Sequence, residues 1–465
     1  MRSAFSAIPF LFLFGFVATQ GYLVPMAALP VNWAVWPSLP DLCALGMLVC
    51  ALAARRRVPL HALEKSTLGY LGILLLFFAA NLGFVTTLST TTGEGIKYGA
   101  FSTILLAKFI ATFWAATQIP MNRRRLLALN VAASIAYLWL TLTVIGSHFG
   151  LLSLQAFTRH LSNADAGKWA VVKLSSTVSA THGGTTVTIM VLAGLIAATA
   201  RYRLRWAAYA SMLGLGLVST FLTGSRQGVV RFVAFFVVLI FRDARTLILV
   251  VLASITIFLV ATFVVDLPEL LLNDETASVV ERQATLIGDP FSNEGLAGRP
   301  DIWRGVIDTL NQKPWRYVVG TGIGNYVEFR NAAHNMILQM MQDGGVIALV
   351  VVTSCYAGMF SRLWRYRSIA WPLVATTAGM LTSVMTSAIL YPNLATGWYL
   401  GLYFVSLHVA VSGNVAQRRH RPRLHGHASV IALSGRPRSN PVQPTSGAGA
   451  PRGRVYLRAG RTGRG

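Results

Sequence analysis

Apolar runs of about 20 residues, separated by short polar stretches, repeat along most of this chain, as expected of helices that cross a bilayer. They predict twelve spans, near 5–29, 39–54, 68–88, 99–119, 126–148, 184–200, 206–223, 228–241, 247–265, 335–360, 369–390 and 394–412. Between the ninth and tenth the pattern stops. Residues 266–333 form a long polar insert, with a helix expected from Pro300 to Leu310. After Ser412 the chain turns to Gly, Pro, Ser and Arg, cannot bury a core, and is expected to be disordered. The expected fold class is all-α: a polytopic integral membrane protein with about 12 transmembrane helices and one long extracytoplasmic loop domain. Its parts are helices one to nine over 1–265, the loop domain over 266–333, helices ten to twelve over 334–412, and a basic cytoplasmic tail over 413–465.

Charge supplies the orientation. The clusters Arg55–Arg57, Arg123–Arg125, Arg201–Arg205, Arg242–Arg245, Arg362–Arg367 and Arg418–Arg423 all fall on the N-terminal side of a twelve-span arrangement. Positively charged loops stay in the cytoplasm, so both termini are expected there, in a bacterial inner membrane. One span more or fewer would split the clusters between faces. The insert has the opposite sign, with ten acids against six bases for a net −4, in a chain of net charge +24. In a soluble protein that excess of base would suggest nucleic acid. Here 54% of residues are hydrophobic and 12% charged, about half the charged share usual in soluble domains. The clusters cap membrane spans, so no nucleic-acid partner is inferred. The tail, with eleven Arg and no acid, is expected to lie on anionic membrane lipids. Cys43, Cys50 and Cys355 lie in apolar segments and make no disulfide framework. The N-terminal run is too long for a signal peptide and is read as the first span.

Three polar features converge on the outer face. The first is the turn Thr223-Gly224-Ser225-Arg226-Gln227-Gly228, followed by the short apolar run 229–241. That run rises only about 20 Å as a helix, so the hairpin tip sits low and brings Arg226 to lipid phosphate depth. Arg231, five residues on, is about 140° round the helix. The bland reading of both is a snorkelling interfacial Arg.

The second is Leu296-Ala297-Gly298-Arg299-Pro300-Asp301-Ile302-Trp303, then Pro314-Trp315 and Gly320-Thr321-Gly322-Ile323-Gly324-Asn325. Arg299 precedes a Pro suited to a first helical turn, and its guanidinium is suited to phosphate oxygens. Trp303, Trp315 and Tyr317 are candidates for stacking on sugars or for ordinary packing. The glycine run lacks the strand and spacing of a nucleotide-binding loop. The third feature is His334-Asn335 at the mouth of the tenth span, with Asp343 about 13 Å deeper on a helix. Histidine accepts protons near neutral pH, and an intramembrane acid is a functional or a packing group. Lys108 in mid-span needs a partner. His182 and Arg159 are weaker candidates.

Gly224-Ser225-Arg226, Gly298-Arg299 with Trp303, Gly320-Thr321-Gly322-Ile323-Gly324, and His334-Asn335 with Leu338 and Asp343-Gly344 together resemble the O-antigen ligase and O-antigen polymerase family. The resemblance spans roughly 206–360. It implies a membrane glycosyltransferase that needs no metal or cofactor and moves a glycan from an undecaprenyl-diphosphate-linked glycan donor to a sugar hydroxyl, with inversion. The acceptor is lipid A core for a ligase or a second lipid-linked glycan for a polymerase. By resemblance, Arg226 and Arg299 hold the leaving diphosphate and His334 orients or deprotonates the acceptor, with Arg231, Trp303, Asn335 and Asp343 as substrate-binding candidates. Ile337 stands where an aromatic is common, Asp343 where Glu is, and the Arg-rich tail lies outside the pattern.

Three rivals have less support. A secondary transporter with about twelve spans would show two similar halves, and the insert occurs once. A polyprenyl-phosphate sugar transferase would carry an acid in the first outer loop, yet residues 30–40 hold none before Asp41. A non-catalytic scaffold would tolerate Ala at Arg226, Arg299 and His334.

Overall fold

In the computed structural model, residues 4–21, 38–54, 58–88, 93–148, 182–199, 205–223, 225–241, 299–324, 333–384, 390–391 and 398–419 are described. All of the regular structure among them is helical: α1 (Ala4–Ala18), α2 (Leu39–Ala53), α3 (Ala62–Leu88), α4 (Gly93–Thr117), α5 (Arg123–His148), α6 (His182–Thr199), α7 (Arg205–Leu222), α8 (Arg226–Ile240), α9 (Arg299–Asn311), α10 (Arg316–Val319), α11 (Met336–Arg365), α12 (Arg367–Leu381) and α13 (Tyr399–Arg419). Helices therefore occupy eleven of the twelve apolar runs. The ninth run, 247–265, lies outside the described residues, as do residues 266–298 and 325–332 of the insert and nearly all of the tail.

Four helical stretches among the described residues are long and apolar enough to cross a membrane: Ala62–Gly83, Gly99–Thr117, Arg123–Gly146 and Met336–Arg365. The other apolar helices are shorter. Two helices end before the hydropathy expectation does. The run expected over 369–390 is helical to Leu381, and the following turn places the Val384 carbonyl 2.8 Å from the Met336 amide; residues 385–389 lie outside the described residues. The run 5–29 is helical to Ala18, then tightens into a 3₁₀ turn over Thr19–Gly21.

Apolar side chains turn both inward and outward, the pattern of a lipid-embedded bundle: Phe78, Phe109, Phe113, Tyr137 and Phe235 are buried, while Leu76, Ile104, Leu142 and Val350 are exposed. α11 packs on α3, α8 packs on α12, and α6 on α5 and α12. Several charged groups within the bundle are paired, as burial demands. Lys108 finds its partner in Asp41, with Nζ to Oδ1 at 2.7 Å, and lies over the Trp398 ring at 4.1 Å. His408 Nδ1 and Glu64 Oε1 lie 2.6 Å apart.

α11 is the element that positions the site. It bends at Gly344 (φ −147°, ψ 18°) and Gly345 (φ 61°, ψ −154°), where the helix-internal bonds lapse. Their loss leaves carbonyls without helical partners, and the glycine run supplies donors. Thr321 donates its backbone N–H to Gln342 O at 2.6 Å, and Gly322 to Asp343 O at 2.9 Å. Asn81 of α3 closes the junction, giving its Nδ2 to Asp343 O (3.2 Å) and accepting the Ile323 N–H (2.9 Å). The fit requires glycine. A Cβ on Gly320 would lie 2.5 Å from the Asp343 carbonyl carbon, and one on Gly345 would lie 2.6 Å from Val319 N.

Candidate functional site

Four separate stretches meet at the end of the bundle where α11 begins: the start of α8, the start of α9, the segment 333–336, and the turn after α12. α9 reaches it at Arg299, its first residue, with Pro300 and Asp301 completing a favourable first turn. Its other face carries Val306 and Leu310, which bury against Ala333 with Leu338 and Met341 of α11. That small apolar cluster holds Arg299 beside His334.

Arg299 lies within electrostatic range of both His334 and Arg231. Arg231 is fully buried; it donates Nη2–H to Gln227 Oε1 at 2.8 Å and Nε–H to Ser383 Oγ. Tyr399, at the start of α13, is also within electrostatic range of Arg231. A guanidinium taken out of water keeps its charge when its donors are satisfied, so this end of the bundle holds fixed positive charge. Arg226 opens α8 one turn before Arg231, with Ser225 as its N-cap accepting from Gly228 N; the Arg226 side chain lies outside the described residues. So do the side chain of His182 and all of Arg159.

His334 is the one non-glycine residue with positive φ (48°) among the described residues. Such conformations cost about 1–3 kcal/mol and persist where surrounding structure imposes them, often at functional sites. The residue as a whole is exposed. Loss of part of its hydration, and then the positive charge of Arg299, hold its pKa below the ordinary histidine value of 6.5. The neutral imidazole that results at neutral pH is the form able to accept a proton.

The remaining sequence candidates are placed as follows. Trp303 donates Nε1–H to the Ala333 carbonyl at 2.9 Å, fixing the segment before His334. Asn335 is the N-cap of α11, its Oδ1 accepting from Ile337 N (2.9 Å) and Leu338 N (3.1 Å). Asp343 is buried and accepts from Gln339 Nε2 at 3.0 Å. Trp315 is partly exposed, and Tyr317 donates its hydroxyl to Asn311 Oδ1 at 2.7 Å. Sequence reasoning missed Gln227, Ser383, Gln339, Tyr399 and Asn81. Gln339 was legible as an amide one helical turn from an intramembrane acid. Ser383 carries no local signal.

Residues 211–353 match the family model for O-antigen ligase. The match runs from within α7 to within α11, so Arg226, Arg231, Arg299, Trp303, His334, Asn335 and Asp343 all fall inside the O-antigen ligase region. It supports the resemblance to O-antigen ligases and polymerases read from the motifs, and does not favour the transporter reading. No curated protein matches the chain significantly.

Among the described residues no three His, Cys, Asp or Glu side chains gather in a way that could hold a metal ion. The arrangement can do two things chemically. Fixed guanidinium groups can stabilise an anion, above all an oxygen-rich one such as diphosphate. A neutral imidazole beside them can take a proton from a hydroxyl.

Proposed function

We propose that the protein is a metal-independent, inverting glycan transferase of the inner membrane, acting on its periplasmic face with both termini in the cytoplasm. The observation that carries the reading is the meeting of Arg231, Arg299 and His334, from three distant stretches, within the O-antigen ligase region. The donor is an undecaprenyl-diphosphate-linked glycan. The acceptor is a sugar hydroxyl, on lipid A core or on a second lipid-linked glycan.

A ring nitrogen of His334 takes the proton of the acceptor hydroxyl. The hydroxyl oxygen forms a bond to the anomeric carbon, on the face opposite the leaving group. The bond from that carbon to the diphosphate oxygen breaks, and undecaprenyl diphosphate departs with the electron pair. Negative charge grows on the diphosphate as this happens. Arg299, with Arg226 at the start of α8, grips its oxygens, and Arg231 adds fixed positive charge from behind. Held in place before reaction, these cations stabilise the transition state with no reorganisation. Trp303 and Asn335 act by fixing the backbone on either side of His334.

Deletion of the gene, followed by gel electrophoresis of surface polysaccharide, tests the reading. Accumulated long lipid-linked chains assign a ligase, and single repeat units on the core assign a polymerase. Unchanged polysaccharide of both kinds overturns the proposal. In the complemented strain, His334→Ala and Arg299→Ala should insert normally and fail to transfer; normal glycan from either removes that residue from the site.

A further inference from the structure

The segment presenting His334 is pinned on both sides. Ala333 donates its N–H to Gln339 Oε1 (3.1 Å) and accepts at its carbonyl from Trp303, while the Met336 N–H goes to Val384 O at 2.8 Å. Between these anchors His334 adopts φ 48°. Gln339 lies six residues after Ala333 and reaches back along the first turn of α11.

What orients the Gln339 amide is Asp343. An amide has a donor end and an acceptor end, and a carboxyl oxygen accepts from the donor end. Asp343 Oδ1 takes the Nε2 end at 3.0 Å, so Oε1 is left to face Ala333. Asp343 is fixed in turn. Its carbonyl is freed by the bend at Gly344–Gly345 and receives Gly322 N–H and Asn81 Nδ2, and the Tyr391 hydroxyl faces its carboxyl. A connected set of buried bonds thus runs from the glycine run, through the bend of α11, to the backbone of Ala333, which precedes His334. Gln339 and Asp343 are each within 1% of full burial, where an unused polar group is costly.

We propose that Gln339, oriented by Asp343, is a positioning residue of the transfer reaction: it locks the Ala333 amide and so holds His334 in the left-handed conformation that presents its ring to the acceptor. The inference rests on the glycan-transfer reading above. It moves Asp343 from a substrate contact to a support of the base, and gives the glycine run a purpose, the anchoring of that support.

The test uses the full-length protein. Transfer is measured in vesicles with a lipid-linked glycan donor and its acceptor. Hydrogen exchange of the peptide containing Ala333 is measured on the same protein in detergent. The variants are Gln339→Met, Asp343→Leu and Asp343→Asn, beside wild type and His334→Ala. Gln339→Met and Asp343→Leu should lower kcat by about 10- to 100-fold, the scale of a misplaced catalytic group, with KM unchanged and faster exchange at Ala333. Asp343→Asn should restore most of both, because its carbonyl oxygen can accept from Gln339 and its amide can donate to the Tyr391 hydroxyl.

Wild-type kcat in Gln339→Met, a raised KM alone, or an Asp343→Asn enzyme as poor as Asp343→Leu would overturn the proposal. An active wild type whose exchange ignores all three variants sinks the lock alone. An inactive wild type with the expected exchange pattern sinks the transfer reading and leaves the lock standing.

Discussion

Replacing Gly320 by Ala measures how much the fold depends on the junction between the glycine run and the bent helix. Gly320 has φ 71° and ψ −162°, a region open essentially to glycine, and a residue with a Cβ held there loses about 1–3 kcal/mol. The new Cβ would also sit 2.5 Å from the Asp343 carbonyl carbon and 2.7 Å from its oxygen, backbone atoms that cannot rotate aside. The run must therefore retreat. That lengthens the bonds from Thr321 N–H and Gly322 N–H to the Gln342 and Asp343 carbonyls, now 2.6 and 2.9 Å. Each buried group left unpaired costs about 1–3 kcal/mol. The combined loss, about 3–9 kcal/mol, is a large share of the 5–15 kcal/mol that usually holds a domain together. Gly305 is the internal control, since an added Cβ there meets nothing within 4 Å on an exposed face of α9. Gly305→Ala should stabilise by up to about 1 kcal/mol through helix propensity. Thermal unfolding in detergent, followed by tryptophan fluorescence, reads both. A Gly320→Ala midpoint equal to wild type would refute the interlock.

Transfer should depend on pH through His334. Its pKa in the fold lies below 6.5, so the imidazole is neutral above that value and gains a proton only as the pH falls further. The unfolded chain takes up that proton first, so both the rate and this residue's share of stability decline on the acid side of 6.5 and are flat above it. An acid limb that persists in His334→Gln would assign it to another group. Lys108→Met should destabilise by about 1–3 kcal/mol, between exposed and buried ion pairs, because both partners are about one-quarter exposed. Lys108→Met/Asp41→Asn should recover most of the loss, and a melt showing no recovery would mean the pair is not coupled. Arg231→Lys should impair folding yield and transfer together, since a single ammonium cannot reproduce the planar fork that serves Gln227 and Ser383; full activity would remove Arg231 from the site.

Hydropathy located helices because lipid and protein interior both select apolar side chains, so runs such as 68–88 and 126–148 are legible whichever way they face. The helix in the run 369–390 stops at Leu381, where Thr382 and Ser383 follow and the Val384 carbonyl meets Met336. The motifs around Arg299 and His334 were legible because a charge at a helix start and a histidine at a span mouth are costly without a purpose. The purpose of Gly320 to Gly324 was not, since it depends on a bend in α11 made by Gly344 and Gly345, and two glycines in an apolar run carry no sign of direction. Arg231 could be flagged as an oddity. Its partner Ser383 lies 152 residues away and looks like any small residue in a turn.

That separation bears on how the chain is made. α8 has only 15 residues, and it carries a buried guanidinium whose Nε–H meets Ser383 in the finished fold. During synthesis α8 emerges long before α12, so for that interval Arg231 has to snorkel toward lipid phosphates or water. The packing of α7 on α8 is thus completed only when the turn after α12 arrives. A nascent protein stopped ahead of Ser383 presents an unsettled helix to quality-control proteases, whereas one released after it can give the cation its partner.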